Sequence, residues 1–215
     1  MSRKFIAALL LMLSIASSVS LVRAEPSIVD KPIAWSEFRE RLIAEYSLEH
    51  YGTAQTKIIP RAVVVHWTAC AKFQTVFDWF YNEADSDGEL NVASHFIVDR
   101  DGTIYRLTAE DALNRHAIGY NHCAIGIENV GGVNGVEDLT AAQLEANVEL
   151  IRYLHSKYPT IEYVFGHYQQ DEARASGLRI ELVPDYYVGK PDPGANFMTA
   201  LHSRLQDDGL TFFRE

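Results

Sequence analysis

The stretch RAVVVHWT, Arg61–Thr68, decides the fold. Four apolar residues, Ala62 to Val65, run straight into His66. A short β-branched run of this kind forms a buried strand covered on both faces. A histidine at the end of such a strand sits where a rigid element meets a pocket. Two readings stay open for it: a metal ligand, or a hydrogen-bonded histidine at a sheet margin.

Working outward, the same pattern recurs twice. AIGIEN, 124–129, is an apolar strand that ends on Glu128, and the strand 161–165 is closed by Gly166 and His167. Gly126 inside its strand signals close approach of another backbone or side chain. A carboxylate in an apolar strand costs several kcal/mol if buried and unpaired. Glu128 is therefore paired, exposed, or held with a shifted pKa for a purpose.

Helical patterns alternate with these strands. Ser36 caps a helix over 37–48 with Phe38, Leu42, Ile43 and Tyr46 inward. Residues 71–82 place Phe73, Val76, Phe77 and Phe80 on one stripe, which reads as core. Thr140 with Gln143 forms a capping box for a helix over 141–158, and a last helix covers 196–206. Strands at 94–99 and 103–107 flank Asp99-Arg100-Asp101-Gly102, a tight hairpin signal. His95 reads as structural, and the acidic loop 84–91 as a solvated one. Alternating strands and helices make this an α/β chain.

Residues 1–24 carry Arg3 and Lys4, an apolar run from Phe5 to Ile15, and Val22-Arg23-Ala24. This is the pattern of a secretory signal peptide cleaved after Ala24, and the run is shorter than the roughly 20 residues of a membrane span. Stable membrane insertion after cleavage is not expected. Cleavage leaves 16 basic against 29 acidic residues, a net charge of −13. Such a surface repels nucleic acid and anionic lipid. Two cysteines, Cys70 and Cys123, remain in an exported chain, so a disulfide and two free thiols are both open. No repeat or long linker divides the chain into separate domains.

Three strands that end on His66, Glu128 and His167 could, as neighbours, bring these residues to one edge. Asp192 lies in a proline-restrained loop just before the last helix. Two histidines and a carboxylate with an open fourth position make a recurring catalytic zinc arrangement. A nearby carboxylate then serves as general base and a nearby lysine stabilises a developing oxyanion, roles that Glu128 and Lys190 fit. No compact H-E-x-x-H signature is present.

These residues sit in motifs that carry a family resemblance. VVVHWTA (63–69), SHFIVDRDGTIYRL (94–107), AIGIENVGG (124–132), FGH (165–167) and KPDPG (190–194) resemble the zinc-dependent N-acetylmuramoyl-L-alanine amidases of the amidase-2 class, which share a fold with peptidoglycan recognition proteins. The resemblance runs from about 57 to 206. It implies a single catalytic domain with a central mixed β-sheet flanked by helices, preceded by an extension with a helix (25–56) and followed by a tail (207–215). It implies His66, His167 and Asp192 as ligands of one zinc ion, Glu128 as the catalytic glutamate, and Lys190 as the lysine two positions before the aspartate. His116, Asn121 and His122 would line the substrate groove. The implied partner is peptidoglycan or its muropeptides, in the periplasm or outside the cell.

Rival readings are a recognition module that binds without cutting, a peptidase acting inside the stem peptide, and an antibacterial toxin with the same chemistry, which would have an immunity protein as partner. The segment between His167 and Asp192 is longer than the family norm. Its 175–189 portion, ASGLRIELVPDYYVG, could form a groove wall, a lid, a partner surface or a packed surface excursion.

Overall fold

The structure is a computed structural model that describes residues 23–213. The signal peptide expected at 1–24 lies, but for its last two residues, outside the described residues. No helix among the described residues is long and apolar enough to cross a membrane.

The run after Arg61 forms β2, Ala62–Trp67, and all six residues are buried. Its flanks are β5 (Ala124–Asn129) and β6 (Tyr163–Gly166), both parallel to it. On the far side of β5 lie β3 (Phe96–Val98) and β4 (Ile104–Arg106), joined by the hairpin that the Asp-Gly pair predicts. Two short edge strands, β1 (Ile28–Asp30) and β7 (Thr211–Phe212), complete the order β1-β4-β3-β5-β2-β6-β7. The β3–β4 pairing is antiparallel and the others are parallel, so the sheet is mixed. Both edge strands come from outside 57–206. The extension and the tail are thus built into the same sheet as the middle of the chain.

Alternation along β2 divides the core. Val63 and Val65 join Ile125, Ile127, Val148, Ile151 and Leu201 in the larger cluster, packed against α3 (Ala141–Lys157) and α4 (Ala195–Leu205). Ala62 and Val64 point the other way, against Ala117, Tyr120 and Phe165. The Thr140–Gln143 capping box is present at the start of α3. Gln143 goes further: its amide donates to the Val98 and Val130 carbonyls at 3.1 and 2.9 Å, tying α3 to β3 and to the end of β5.

Helix α1 spans Glu37–Tyr51, capped by Ser36 as expected, but the stripe differs in one position. Phe38 is exposed and lies under the Arg41 guanidinium, while Arg39 is buried. The reason is a helix end. Arg39 donates to the carbonyls of Phe80, Tyr81 and Asn82, which close α2 (Phe73–Tyr81) and have no partner inside that helix.

The 175–189 segment is tied to the body of the chain by polar contacts, while Ile180, Leu182, Tyr187 and Val188 stay exposed. Glu181 meets His50 at 2.8 Å in a buried pair, the Leu182 N–H donates to the His50 carbonyl, and the Ile180 N–H donates to the Gly119 carbonyl. Arg115 donates to the Tyr186 hydroxyl at 3.0 Å.

The disulfide left open by the cysteine count does not form, and both thiols are free. Cys70 lies beyond the C-terminal end of β2, bridged to Gly131, whereas Cys123 immediately precedes β5. Eight steps of nearly extended chain lead from Cys123 to Gly131, a span of about 25 Å at ~3.3 Å per residue. A disulfide needs Cα atoms within about 7 Å. Burial also pushes the Cys123 thiol up to about 12. Maleimide labelling of the native protein is therefore expected to modify Cys70 and spare Cys123, with both reacting after denaturation. Mass spectrometry of the labelled peptides checks this, and a reducible, disulfide-linked Cys70–Cys123 peptide pair would contradict it.

Candidate metal centre and cleft

Register builds the site. His66 pairs opposite Glu128, and Val65 opposite Gly166, so His167 falls one step on, level with His66. The three residues form a row across β5, β2 and the end of β6, at the C-terminal ends of parallel strands, where α/β sheets bind ligands. The fourth member arrives from a loop. Asp192 is buried just before α4, and its backbone carbonyl accepts from the Tyr168 N–H at 2.8 Å.

His66 Nδ1, His167 Nδ1 and Asp192 Oδ2 converge with separations of 3.0, 3.1 and 3.2 Å. All three residues are buried. Tetrahedral donors at bonds of about 2.0–2.1 Å stand about 3.3 Å apart, so the triangle fits one small transition-metal ion. The donor chemistry agrees. A carboxylate oxygen has only lone pairs to offer, and two imidazoles that both turn Nδ1 to it and to each other leave no arrangement of hydrogens that serves three mutual contacts. Electrostatics acts on the same atoms. Burial, then the proximity of His167, holds the His66 imidazole down at about 4. Burial alone would raise the Asp192 carboxyl, but its contacts with the His167 and His66 imidazoles outweigh it and hold the group well below the carboxylate range.

A cleft of about 360 Å³ opens over this triangle, with Trp67, Val76 and Phe80 among its apolar walls and Trp79 at its mouth. Glu128 and Lys190 both line it. Glu128 Oε2 is buried without a hydrogen-bond partner. Burial and then the Asp192 charge raise its carboxyl well above the usual range, against the pull of the Lys190 ammonium. Lys190 itself is exposed at the lip. A second cavity of about 380 Å³, lined by Ile33, Trp35 and Leu107 among others, holds no comparable donor set.

The groove residues implied by the resemblance separate. His116 lines the cleft, with Nδ1 3.2 Å from His66 Nε2 and Nε2 3.1 Å from the Ala124 carbonyl. Burial, then His66 and His95, hold its imidazole well below the ordinary value. Gly126 explains itself here: a Cβ on it would stand 2.8 Å from the His116 ring. Asn121 does not reach the cleft. It is fully buried, its Oδ1 accepts from the N–H groups of His116 and Ala117, and its amide donates to the Tyr46 hydroxyl. It shapes the loop that presents His116. His122 does not face the cleft either; it bonds the Leu178 carbonyl at 2.9 Å and packs on Tyr51. His95 is structural as read, buried with Nε2 on the Ala112 carbonyl and Nδ1 accepting from the Gly126 N–H.

Two supports left no mark in the sequence. Asn129 donates to the His66 carbonyl at 3.0 Å and accepts from Asn147 of α3 at 2.7 Å. Glu137 accepts from the first N–H groups of α4, those of Ala195 and Asn196, at 3.2 and 3.0 Å. Gly194 between them has φ +92°, and a Cβ there would collide with Glu137.

Comparison with known proteins agrees with this frame. Residues 55–195 match the family Amidase_2, described as N-acetylmuramoyl-L-alanine amidase. The endolysin of Escherichia phage T7 is 35% identical over 106 residues, 45% of this chain and 68% of that protein. The solved endolysin amidase LysCS of Clostridium intestinale has the same fold, with TM-score 0.58 at 23% identity over 85% of this chain and 97% of that one. A human peptidoglycan recognition protein, PGRP-IβC, solved with a glycosamyl muramyl pentapeptide, overlays at TM-score 0.51 and 21% identity over 74% of this chain and 88% of its own. The chain belongs to the Amidase_2 family of N-acetylmuramoyl-L-alanine amidases.

The α4 cap generates a test. Removing a helix N-cap acceptor costs about 0.5–2 kcal/mol. Urea unfolding of Glu137→Ala is expected to show a loss in that range, with Glu137→Gln between it and the wild type; an unchanged midpoint would show that the cap does not anchor the Asp192 loop.

Proposed function

We propose that this cleft, with one zinc ion held by His66, His167 and Asp192, hydrolyses the amide between the lactyl group of N-acetylmuramic acid and the L-alanine of the peptidoglycan stem peptide. The observation that carries the reading is the triangle of two Nδ1 atoms and one carboxylate oxygen, 3.0–3.2 Å on a side, with Glu128 next to His66 in register. Family membership supplies the bond.

When bound, such an ion polarises a carbonyl and makes a water more acidic. The chain's own residues do the rest. Ionised Glu128 takes the proton of the attacking water as its oxygen bonds to the lactyl carbonyl carbon. The buried, unpartnered Oε2 gives the carboxylate reason to hold that proton briefly. It returns the proton to the L-alanine nitrogen as the C–N bond breaks, leaving a lactyl carboxylate and a free amine. The Lys190 ammonium, at the lip of the same cleft, balances charge on the carbonyl oxygen. The apolar walls exclude water from around the reacting amide, which strengthens these interactions. Asp192 stays ionised and orients the two imidazoles. The N-terminal sequence supports export, so that the chain meets peptidoglycan in the periplasm or outside the cell.

Mass spectrometry of muropeptides incubated with the protein, with and without chelator and added zinc, tests this. The expected product is stem peptide beginning at L-alanine, formed only with metal. Muropeptide bound but uncut by zinc-loaded protein would replace the reading with a recognition module, and cuts inside the peptide would replace the reaction.

Variants separate the roles. Glu128→Gln is expected to lower turnover by about 10²–10⁴-fold while zinc content stays at one per chain. His167→Ala is expected to lose zinc as well. Near-wild-type turnover in Glu128→Gln would remove the general base from the scheme.

A further inference from the structure

We infer that His116 is a positioning residue for the metal ligand His66: the two imidazoles form a hydrogen-bonded relay, anchored on the Ala124 carbonyl, that fixes His66 in the tautomer whose Nδ1 lone pair faces His167 and Asp192. The inference rests on the proposed ligand role of His66, and its chemistry follows from atoms already placed.

A ligating histidine needs a partner on its other nitrogen to fix ring orientation and tautomer, and the usual partner is a carboxylate, a backbone carbonyl or water. His66 has none of the first two. Its Nε2 meets Nδ1 of His116 at 3.2 Å. Nitrogen against nitrogen is ambiguous by itself, and the far end of the relay resolves it. His116 Nε2 lies 3.1 Å from the Ala124 carbonyl oxygen, which only accepts, so that nitrogen carries a hydrogen. A neutral imidazole carries one hydrogen, so with that hydrogen on Nε2 the Nδ1 atom presents a lone pair to His66 Nε2. His116 Nδ1 therefore accepts, His66 Nε2 donates, and His66 Nδ1 is left with its lone pair free for the metal.

The surroundings hold the relay in place. Gly126 leaves room for the His116 ring directly over β5. Asn121 Oδ1 accepts from the His116 backbone N–H at 2.8 Å and the next N–H at 2.6 Å. His167 contrasts with this: its Nε2 is buried with no hydrogen-bond partner among the described residues. Of the two imidazole ligands, only His66 is oriented through its second nitrogen by another side chain.

Two measurements test the relay. The first is long-range ¹H–¹⁵N NMR of the metal-free wild type, where the expected pattern is the Nε2–H tautomer for both His66 and His116. An Nδ1–H tautomer at His66 would overturn the inference. The second is zinc affinity by chelator competition. His116→Ala is expected to weaken binding by about 10- to 100-fold, the usual effect of removing a partner behind a ligand. His116→Asn, whose Oδ1 can accept in place of Nδ1, is expected to recover most of that loss, which a merely structural role would not do. Equal affinity in His116→Ala and wild type would overturn the inference. A wild type that binds no zinc would instead sink the ligand role of His66, while the NMR result would still decide the relay.

Discussion

The parallel register of β2 between β5 and β6 is the constraint on which the rest depends. Side chains alternate along a strand, so a slip of one residue would send His66 to the face that now holds Val63 and Val65. The Asn129 amide on the His66 carbonyl holds that register at its polar end. The register is also set by the burial of Ala62 to Val65 on both faces, where a slip would put a valine in place of Ala62 against Tyr120 and Phe165. The apolar body of the strand is thus what aims its polar end. Donors on sheet strands are also held more closely than donors on loops, which suits a triangle of atoms about 3 Å apart.

Asp192 needs separate support, because it lies in a loop, whereas His66 is on β2 and His167 directly follows β6. Three contacts supply it: the Tyr168 N–H on its carbonyl, the imidazoles on its carboxylate, and Glu137 on the first turn of the helix that follows. The same logic runs through the buried polar groups behind the row. Asn147 holds Asn129, which holds the His66 carbonyl, and Gln143 closes the ends of β3 and β5. A buried polar network of this kind rigidifies because each broken bond would leave an unsatisfied group in a dry interior.

One pair of carboxylates shows how environment divides roles. Asp192 and Glu128 share the cleft, and burial raises both. Two imidazole contacts reverse the effect for Asp192, whereas Glu128 has no such partner and faces the Asp192 charge as well. Opposite shifts in neighbouring carboxyl groups are the pattern that the proposed division of roles needs, Asp192 as the anion and Glu128 as the proton carrier. The 175–189 segment, by contrast, spends its polar groups on α1 and the loop before β5, through Glu181–His50 and Tyr186–Arg115. It continues to the exposed Lys190 at the cleft lip.

The sequence by itself determined the strands and the residues at their ends. Four apolar residues before His66, AIGI before Glu128 and a strand before Gly166-His167 are local patterns, and burial of an apolar run needs no knowledge of its neighbour. The capping box, the hairpin and the room over Gly126 were legible for the same reason, since each is written in a few adjacent residues. Tertiary structure decided what depends on distant partners. It kept Cys70 and Cys123 apart at opposite ends of paired strands, and turned Phe38 out and Arg39 in because α2 ends beside α1. It took Asn121 and His122 away from the cleft and put His116 behind His66. Those outcomes depend on which carbonyl or side chain waits at the far end of a contact tens of residues away. Spacing along one chain does not encode that; packing in three dimensions does.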